Sequence, residues 1–328
     1  MNYFLFKLEF TTSLHVGESE AGDSLDTGRM NFCADTLFSA LCHMALKAEG
    51  VQGIERWVNL AQNDELRFSD AFPYKGETLY VPKPYATASV RLEIPPELRK
   101  AMKKLSYLPI GLLPDFIASL QGKMVFDAAG VDTDFGVYGI VDKVSITAQE
   151  MPRPYSVGVF TFHDDAGLYF IVGCADKSLV PDLQKLIRLL GVEGIGGKVS
   201  SGYGKFRVKA CIDLEAAENE DERLLAGYLQ KATVGEANRY ITLTTSLPMD
   251  QEMHDAVENS TYGLVRRGGF VQSETYADKP LKKQTQYFFD SGSMFQYPYR
   301  GGIFDVSGNR GKHPVYRYGK PVFLGVCL

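Results

Sequence analysis

The hydrophobic and polar positions of residues 1–210 predict a βαββαβ unit. Residues 2–10 alternate well enough for a strand, and apolar positions of helical period then run from Asp35 to Leu46. The other predicted elements are a short helix at 54–60, a strand at 78–81, a hairpin of strands 155–162 and 167–174, a helix at 181–190 and a strand at 205–210. This order is that of a ferredoxin-like domain.

Residues 85–150 do not continue these periods. A basic, helix-like stretch at 91–104 precedes a stretch at 108–122 that proline and glycine interrupt. We therefore interpret residues 85–150 as an insertion into the first domain.

The remainder of the chain predicts a second domain of the same kind. Residues 211–235 begin with an acidic run that is poor in apolar residues, and we interpret them as a linker. Residues 236–328 then show strand patterns at 240–246, 261–272, 284–293 and 321–326, with one helical pattern at 251–259. The predicted fold class is therefore α+β, with two ferredoxin-like domains and an insertion in the first.

The composition is that of an ordinary globular protein. The 328 residues are 45% hydrophobic and 23% charged, and the apolar stretches fall short of the ~20 residues that cross a bilayer. The first ten residues mix charges into an apolar run, so they predict a strand rather than a signal peptide. We therefore expect a cytoplasmic location and no membrane partner. The five cysteines are widely spaced, and we expect reduced, mostly buried thiols without zinc.

The charge is distributed unevenly along the chain. A net charge of −5 argues against a protein that coats nucleic acid indiscriminately. Residues 261–328 nevertheless carry ten Lys and Arg against four Asp and Glu, which leaves a net −11 for residues 1–260. This asymmetry predicts a local anion-binding face.

A glycine-rich loop between a predicted helix and a predicted strand is the most specific motif in the chain. Five glycines fall within the eleven residues 194–204, where they let the backbone turn and let a ligand approach the N–H groups. The spacing fits neither a P-loop nor a dinucleotide fingerprint, because Val192 and Val199 stand where those motifs need glycine, Ser or Thr. The candidate RNA-binding residues of this loop are Gly194, Gly196, Gly197, Lys198, Ser200, Ser201, Gly202, Tyr203, Gly204 and Lys205. A mobile turn without a ligand is the alternative.

Two other sets of residues are candidates. Arg266, Arg267, Lys282 and Lys283 combine with nearby glycines and tyrosines in a composition typical of single-strand RNA binding, although a solvated basic hairpin has the same composition. His15 and Arg29 lie in the long loop after the first strand. A histidine can act as a general base or acid in RNA cleavage, or simply contact RNA or support the loop.

The motif Gly194 to Phe206 resembles the signature loop of the RAMP (repeat-associated mysterious protein) superfamily of CRISPR proteins. The stretch 35–41 resembles the first helix of that family, and the stretches 291–295 and 313–320 resemble the fourth Csm subunit of type III-A complexes. These motifs run from near residue 10 to the C-terminus but leave residues 85–150 unmatched.

The resemblance implies two ferredoxin-like domains, binding of the repeat-derived 5′ tag of the guide RNA (crRNA), and a cap position beside the large polymerase-like Csm subunit and the backbone RAMP subunit. It also implies a protruding thumb, for which residues 85–150 are the candidate. We expect an RNA-binding subunit with no catalytic residue, cofactor or metal ion. The alternatives are a RAMP endoribonuclease that uses His15 on repeat RNA, and an interaction module that binds no RNA.

Overall fold

The computed structural model describes residues 1–17, 25–86, 95–147, 150–273 and 275–328. The elements up to residue 162 are β1 (Asn2–Phe10), α1 (Ala34–Glu49), α2 (Val51–Gln62), β2 (Leu66–Phe68), β3 (Phe72–Lys75), β4 (Thr78–Pro82), α3 (Pro96–Lys104), β5 (Tyr107–Pro109), α4 (Leu113–Leu120), β6 (Gly136–Thr147) and β7 (Glu150–Phe162). The next four are β8 (Ala166–Cys174), α5 (Val180–Glu193), β9 (Phe206–Asp213) and α6 (Glu220–Val234). The C-terminal part contains β10 (Arg239–Thr242), α7 (Met253–Val257), β11 (Leu264–Arg267), β12 (Gln286–Phe289), β13 (Met294–Phe295), β14 (Ile303–Asp305), β15 (Tyr316–Tyr318) and β16 (Phe323–Val326).

An antiparallel sheet organises the first two thirds of the chain. Its strands lie in the order β5-β4-β3-β8-β1-β9, and β2 also pairs with β8. The hydrophobic strand β8 lies at its centre and is buried along its whole length. The fold is thus mixed α+β with antiparallel sheets, in agreement with the predicted class.

The two faces of this sheet cover two hydrophobic cores. Successive side chains of a strand point to opposite faces, so Phe4, Phe6 and Leu8 of β1 enter one core and Leu5 enters the other. The first core packs against α1, α2 and α5. The second joins the sheet to α4, α6 and the C-terminal strands β10 and β16.

Asp70 links the N-terminal and C-terminal parts of the chain. Its carboxylate accepts hydrogen bonds from the backbone N–H of Ala34 at the start of α1 (2.7 Å) and from the Thr245 hydroxyl (2.6 Å) and N–H (3.0 Å). Burial raises the pKa of Asp70 to about 6 even though these hydrogen bonds oppose the shift.

The predicted linker is part of the folded core. Residues 211–235 contain the end of β9 and helix α6, whose Leu225 and Leu229 are fully buried in the second core. The acidic run that suggested a linker supplies the first turn of α6, where Glu220, Asp221 and Glu222 are stabilised by the helix dipole.

The predicted insertion divides into two structurally different parts. Leu105, Leu108, Ile110, Leu113 and Phe116 are buried in the second core, so this portion is not a separable insertion. Strands β6 and β7 instead form a long hairpin whose β6 side chains are largely exposed, including Val137 (61%), Ile140 (66%) and Val144 (55%).

Two further predictions need correction. The strand 155–162 was predicted to pair with 167–174, but β7 pairs with β6 whereas β8 pairs with β1, β2 and β3. Residues 236–328 show strands near the predicted positions, yet α7 is their only α-helix among the residues that the structure describes, whereas βαββαβ requires two. All five cysteines are free, and Cys33 and Cys174 are buried as predicted, but Cys327 is exposed.

Candidate nucleic-acid interface

The glycine-rich loop connects the end of α5 to the start of β9. Helix α5 ends at Glu193 and is capped by Gly194, whose N–H donates to the Leu190 carbonyl (2.7 Å). Residues Val199–Ser201 form one 3-10 turn between Lys198 and Gly202, both of which have the left-handed backbone conformation. The sequence prediction of a tight, irregular loop at this position is confirmed.

The loop is held by its own backbone and by the chain that follows β1. The N–H of Gly197 donates to the His15 carbonyl (2.8 Å), that of Gly204 to the Ser13 carbonyl (2.9 Å) and that of Ile195 to the Gly204 carbonyl (3.0 Å). The N–H of Lys205 donates to the Thr12 hydroxyl (3.0 Å). These four N–H groups are therefore not available to a phosphate. For Ile195, Gly197, Gly204 and Lys205, the expectation that the backbone of the loop binds RNA phosphates is wrong.

Polar and aromatic side chains of the loop reach the surface. Ser200 and Ser201 are exposed, and Lys198 and Tyr203 are half-buried. The Lys198 ammonium lies 4.8 Å from the ring centre of Tyr155, and the Lys143 ammonium lies 4.3 Å from that of Tyr203. Lys143 and Tyr155 are directly opposite each other in the β6–β7 ladder.

These four residues, Lys143, Tyr155, Lys198 and Tyr203, are called the Lys–Tyr cluster below. Two cations and two aromatic rings from the loop and the hairpin meet at one partly exposed surface, with both cation–π contacts within the usual limit of about 6 Å. Lys198 and Tyr203 could be predicted from the sequence, whereas Lys143 and Tyr155 could not, because the predicted strand pairing of the hairpin was wrong.

His15 lies beneath this surface rather than on it. It is 3% exposed, and its Nδ1 lies 2.6 Å from the Gly158 carbonyl oxygen of β7, to which it donates in the tautomer protonated at Nδ1. The His15 carbonyl accepts from Gly197 of the loop. His15 thus ties the glycine-rich loop to the base of the hairpin, which is a structural role.

Arg29 pairs through its backbone with the segment that contains His15. Its N–H donates to the Val16 carbonyl (2.8 Å), next to His15 in the chain. Arg29 lines a cleft of about 820 Å³ at the base of the hairpin. The structure therefore separates the two candidates that are near each other in sequence: His15 supports the loop, and Arg29 lines the cleft.

The C-terminal basic residues do not form one surface. Arg267 makes a two-pronged ion pair with the Asp35 carboxylate at the start of α1, and the two side chains are only 15% and 10% exposed. Burial favours the neutral form of Asp35, but the charge and hydrogen bonds of Arg267, together with the charges of Arg317 and Lys283, outweigh burial and lower the pKa of Asp35. Arg267 is therefore engaged within the fold and is removed from the predicted RNA-binding set.

The other three C-terminal candidates differ in accessibility. Arg266 and Lys282 are exposed, and the Lys282 ammonium lies 5.2 Å from the ring centre of Phe270. Lys283 is half-buried, and burial together with the nearby Arg317 and Arg267 lowers its pKa. Arg266 and Lys282 therefore lie at the surface, where an anion can reach them.

The same fold occurs in solved structures of CRISPR protein complexes. The fold resembles that in a crystal structure of a Csm3-Csm4 subcomplex in the type III-A CRISPR-Cas interference complex, with a TM-score of 0.64, 19% identity and coverage of 99% of both chains. It also resembles that in a crystal structure of a Csm1-Csm4 cassette in complex with pppApA, with a TM-score of 0.56, 19% identity and coverage of 99% of this chain and 98% of the other. The fold is thus one found among CRISPR proteins.

Sequence similarity identifies the family. Residues 235–326 match the model of the CRISPR Csm4 C-terminal domain. The chain is 37% identical over 328 residues to the CRISPR system Cms protein Csm4 of Mycobacterium tuberculosis (strain CDC 1551 / Oshkosh), covering 99% of this chain and 98% of the relative. It is 28% identical over 336 residues to that of Streptococcus thermophilus, covering 99% of each. The chain belongs to the Csm4 family, and the resemblance found in its motifs is confirmed.

Across the part of the chain that the structure describes, the helices are too short or too polar to cross a membrane.

Proposed function

We propose that this chain is the RNA-binding subunit of a type III-A Csm complex that holds the 5′ tag of the crRNA and catalyses no reaction. The single observation that carries the proposal is the Lys–Tyr cluster, where the glycine-rich loop and the β6–β7 hairpin meet. Lysines that contact phosphates and tyrosines that stack on bases are the means by which proteins bind single-stranded RNA.

The position of His15 supports a subunit without nuclease activity. A general base must come within about 3 Å of the 2′-hydroxyl that it deprotonates. His15 is 3% exposed and lies beneath the loop, with Nδ1 at the Gly158 carbonyl and the ring edge next to Gly197. Removing its side chain is expected to loosen the loop rather than to abolish a reaction.

The architecture supports a ferredoxin-like first domain with a projecting hairpin. Strands β3, β8, β1 and β9 lie side by side, with α1 after β1 and α5 between β8 and β9, which matches a βαββαβ unit. The thumb that family membership implies is then β6–β7 alone, not the whole of residues 85–150. A second ferredoxin-like copy has no such support, because residues 236–328 contain one α-helix among those described.

Family membership suggests the partners. Two solved structures with a similar fold are of a Csm3-Csm4 subcomplex and a Csm1-Csm4 cassette. We propose that this chain likewise contacts a large subunit of the Csm1 kind and a backbone subunit of the Csm3 kind, which would give it the cap position of the complex.

Binding of repeat-derived tag RNA to the purified chain tests this proposal. Tyr155→Ala and Tyr203→Ala are each expected to weaken binding by roughly 1 to 3 kcal/mol if the rings stack on bases. Tyr297→Ala is the matched control, because Tyr297 is 49% exposed and outside the cluster. Equal affinity for all three variants, or cleavage of the RNA that His15→Ala abolishes, would reject the proposal.

A further inference from the structure

A cleft lies on the opposite face of the β6–β7 hairpin from the Lys–Tyr cluster. Lys143 and Tyr155 pair across the hairpin on one face, whereas Tyr138 and Phe160 pair on the other, since side chains alternate along a strand. Tyr138 and Phe160 line the cleft, whose volume of about 820 Å³ falls within the range of small-ligand sites, about 300 to 1,000 Å³.

The wall of the cleft combines rings and cations. Tyr138 is 60% exposed, and its ring centre lies 4.7 Å from that of Phe160 at an interplanar angle of 62°. Four cations also line the cleft, namely Arg29, Lys83, Lys103 and Lys104, against the two carboxylates Asp70 and Asp290. Lys103 and Lys104 are exposed in the last turn of α3. The excess of cations favours an anionic ligand, and the exposed ring of Tyr138 favours a ligand that also carries a flat ring.

Asp290 gives the cleft a specific hydrogen-bond acceptor. Its carboxylate accepts from the Tyr85 hydroxyl (3.0 Å) and from the backbone N–H of Ser291. A carboxylate offers about four lone-pair positions, so these two bonds leave capacity for a ligand donor. Asp70, by contrast, accepts three hydrogen bonds within the fold and holds α1 in place.

We propose that this cleft holds one unstacked nucleotide of an RNA strand and that Asp290 selects a base bearing an amino group. The proposal rests on the RNA-binding function proposed above and extends it to a second subsite with base specificity. The ring stacks on Tyr138, Lys103 and Lys104 face the adjoining phosphates, and the carboxylate accepts from the amino group of adenine, cytosine or guanine. Uracil is disfavoured because its N3–H is flanked by two carbonyl oxygens, which a carboxylate repels.

Fluorescence anisotropy with eight-residue oligomers of A, C and U on the full chain tests this selection. A hydrogen bond to a charged group is worth about 1.5 to 3 kcal/mol, so A and C oligomers are expected to bind about tenfold or more tightly than the U oligomer. Asp290→Asn replaces one acceptor oxygen with a donor and is expected to bring the three affinities within about twofold of one another. Asp278→Asn removes the same charge at a side chain that is 97% exposed and should leave the ratios unchanged.

Two additional variants separate this subsite from the proposed RNA-binding function. Lys198→Ala should weaken all three oligomers alike, because it acts on phosphate at the Lys–Tyr cluster. Tyr138→Ala, at a side chain that is 60% exposed, should weaken the A oligomer about fivefold or more through lost stacking. Melting temperatures of all variants show that each is folded.

The outcomes are distinguishable. Binding of all oligomers with equal affinity, or a base preference that Asp290→Asn leaves intact, overturns the cleft proposal but not the RNA-binding function. Absence of binding to every oligomer by the wild-type chain overturns both. If micromolar free AMP displaces the A oligomer, the cleft is a site for free nucleotides. That result overturns the proposal that the cleft holds a nucleotide within an RNA strand.

Discussion

Gly202 and Gly204 offer a test of how the glycine-rich loop is built. Both have positive φ, 89° and 73°. A methyl group at Gly204 would lie 2.0 Å from the carbonyl oxygen of Ile195, far inside contact distance. At Gly202 the same group would meet nothing within 4 Å among the described residues. Both positions have positive φ, and they differ in their surroundings.

The difference can be expressed as free energy. Placing an L-residue in the left-handed region costs roughly 1 to 2 kcal/mol at either position. At Gly204 the Ile195 backbone must also move, which disturbs the hydrogen bonds from Ile195 to Gly204 (3.0 Å) and from Gly204 to Ser13 (2.9 Å). Each such bond contributes about 0.5 to 1.5 kcal/mol. Gly204→Ala is therefore expected to lower the free energy of unfolding by about 2 to 5 kcal/mol, and Gly202→Ala by about 1 to 2.

Urea unfolding followed by the fluorescence of Trp57 measures both values. Trp57 is the only tryptophan, and it is buried in the same core as Ile195, so it reports on the region that the loop covers. Equal losses of stability in the two alanine variants would refute the argument, because they would mean that the Ile195 carbonyl does not restrict position 204.

Three other predictions follow from the ion pairs and the hairpin. Arg267→Ala should destabilise the fold by about 3 to 5 kcal/mol in urea unfolding, because it leaves the largely buried carboxylate of Asp35 unpaired. Arg266→Ala should instead weaken RNA binding at unchanged stability, because Arg266 is exposed. The reverse pattern would contradict the assignment of Arg267 to the fold and of Arg266 to the surface. Asp64 is partly buried, which raises its pKa, but hydrogen bonds from Lys320 and Arg300 together with the charge of Arg67 outweigh burial and lower that pKa. Asp64→Asn should therefore reduce stability at pH 7, and the difference from wild type should shrink as the pH falls below about 4. A difference independent of pH would refute this. Replacing residues 143–155 with an Asn-Gly turn should preserve the melting temperature and weaken RNA binding, and an unfolded product would show that the hairpin belongs to the core.

Local sequence patterns predicted the elements whose contacts lie within short stretches of chain. The period of α1, the alternation of β1 and the glycines after α5 each correspond to an observed element. The glycine-rich loop could be found because a cluster of glycines between a helix and a strand is incompatible with a packed helix or strand. Whether the backbone N–H groups of the loop can bind phosphate could not be judged from the sequence. Their hydrogen-bond partners, Ser13 and His15, are almost 200 residues away in the chain.

The errors arose where tertiary contacts decide the outcome. The apolar residues of 105–116 do not follow the regular spacing of a helix or a strand. The local sequence therefore did not indicate that these residues complete the core beneath the central sheet. The acidic run after β9 has the composition of a linker, yet Leu225 and Leu229 further along make α6 a core helix. Arg267 is indistinguishable from Arg266 in sequence, and only the approach of α1 makes one a buried ion-pair partner and leaves the other exposed.

The salt dependence of RNA binding tests the central claim most directly. If Lys198 and Lys143 contact phosphates of single-stranded RNA, alanine at either position should reduce the slope of log affinity against log salt by about 0.7. Lys185→Ala is the control, because Lys185 is 74% exposed on α5 and outside the Lys–Tyr cluster. We predict a reduced slope for Lys198→Ala and Lys143→Ala and an unchanged slope for Lys185→Ala. Identical slopes for all three variants and the wild type would contradict the account of an RNA-binding surface at the glycine-rich loop.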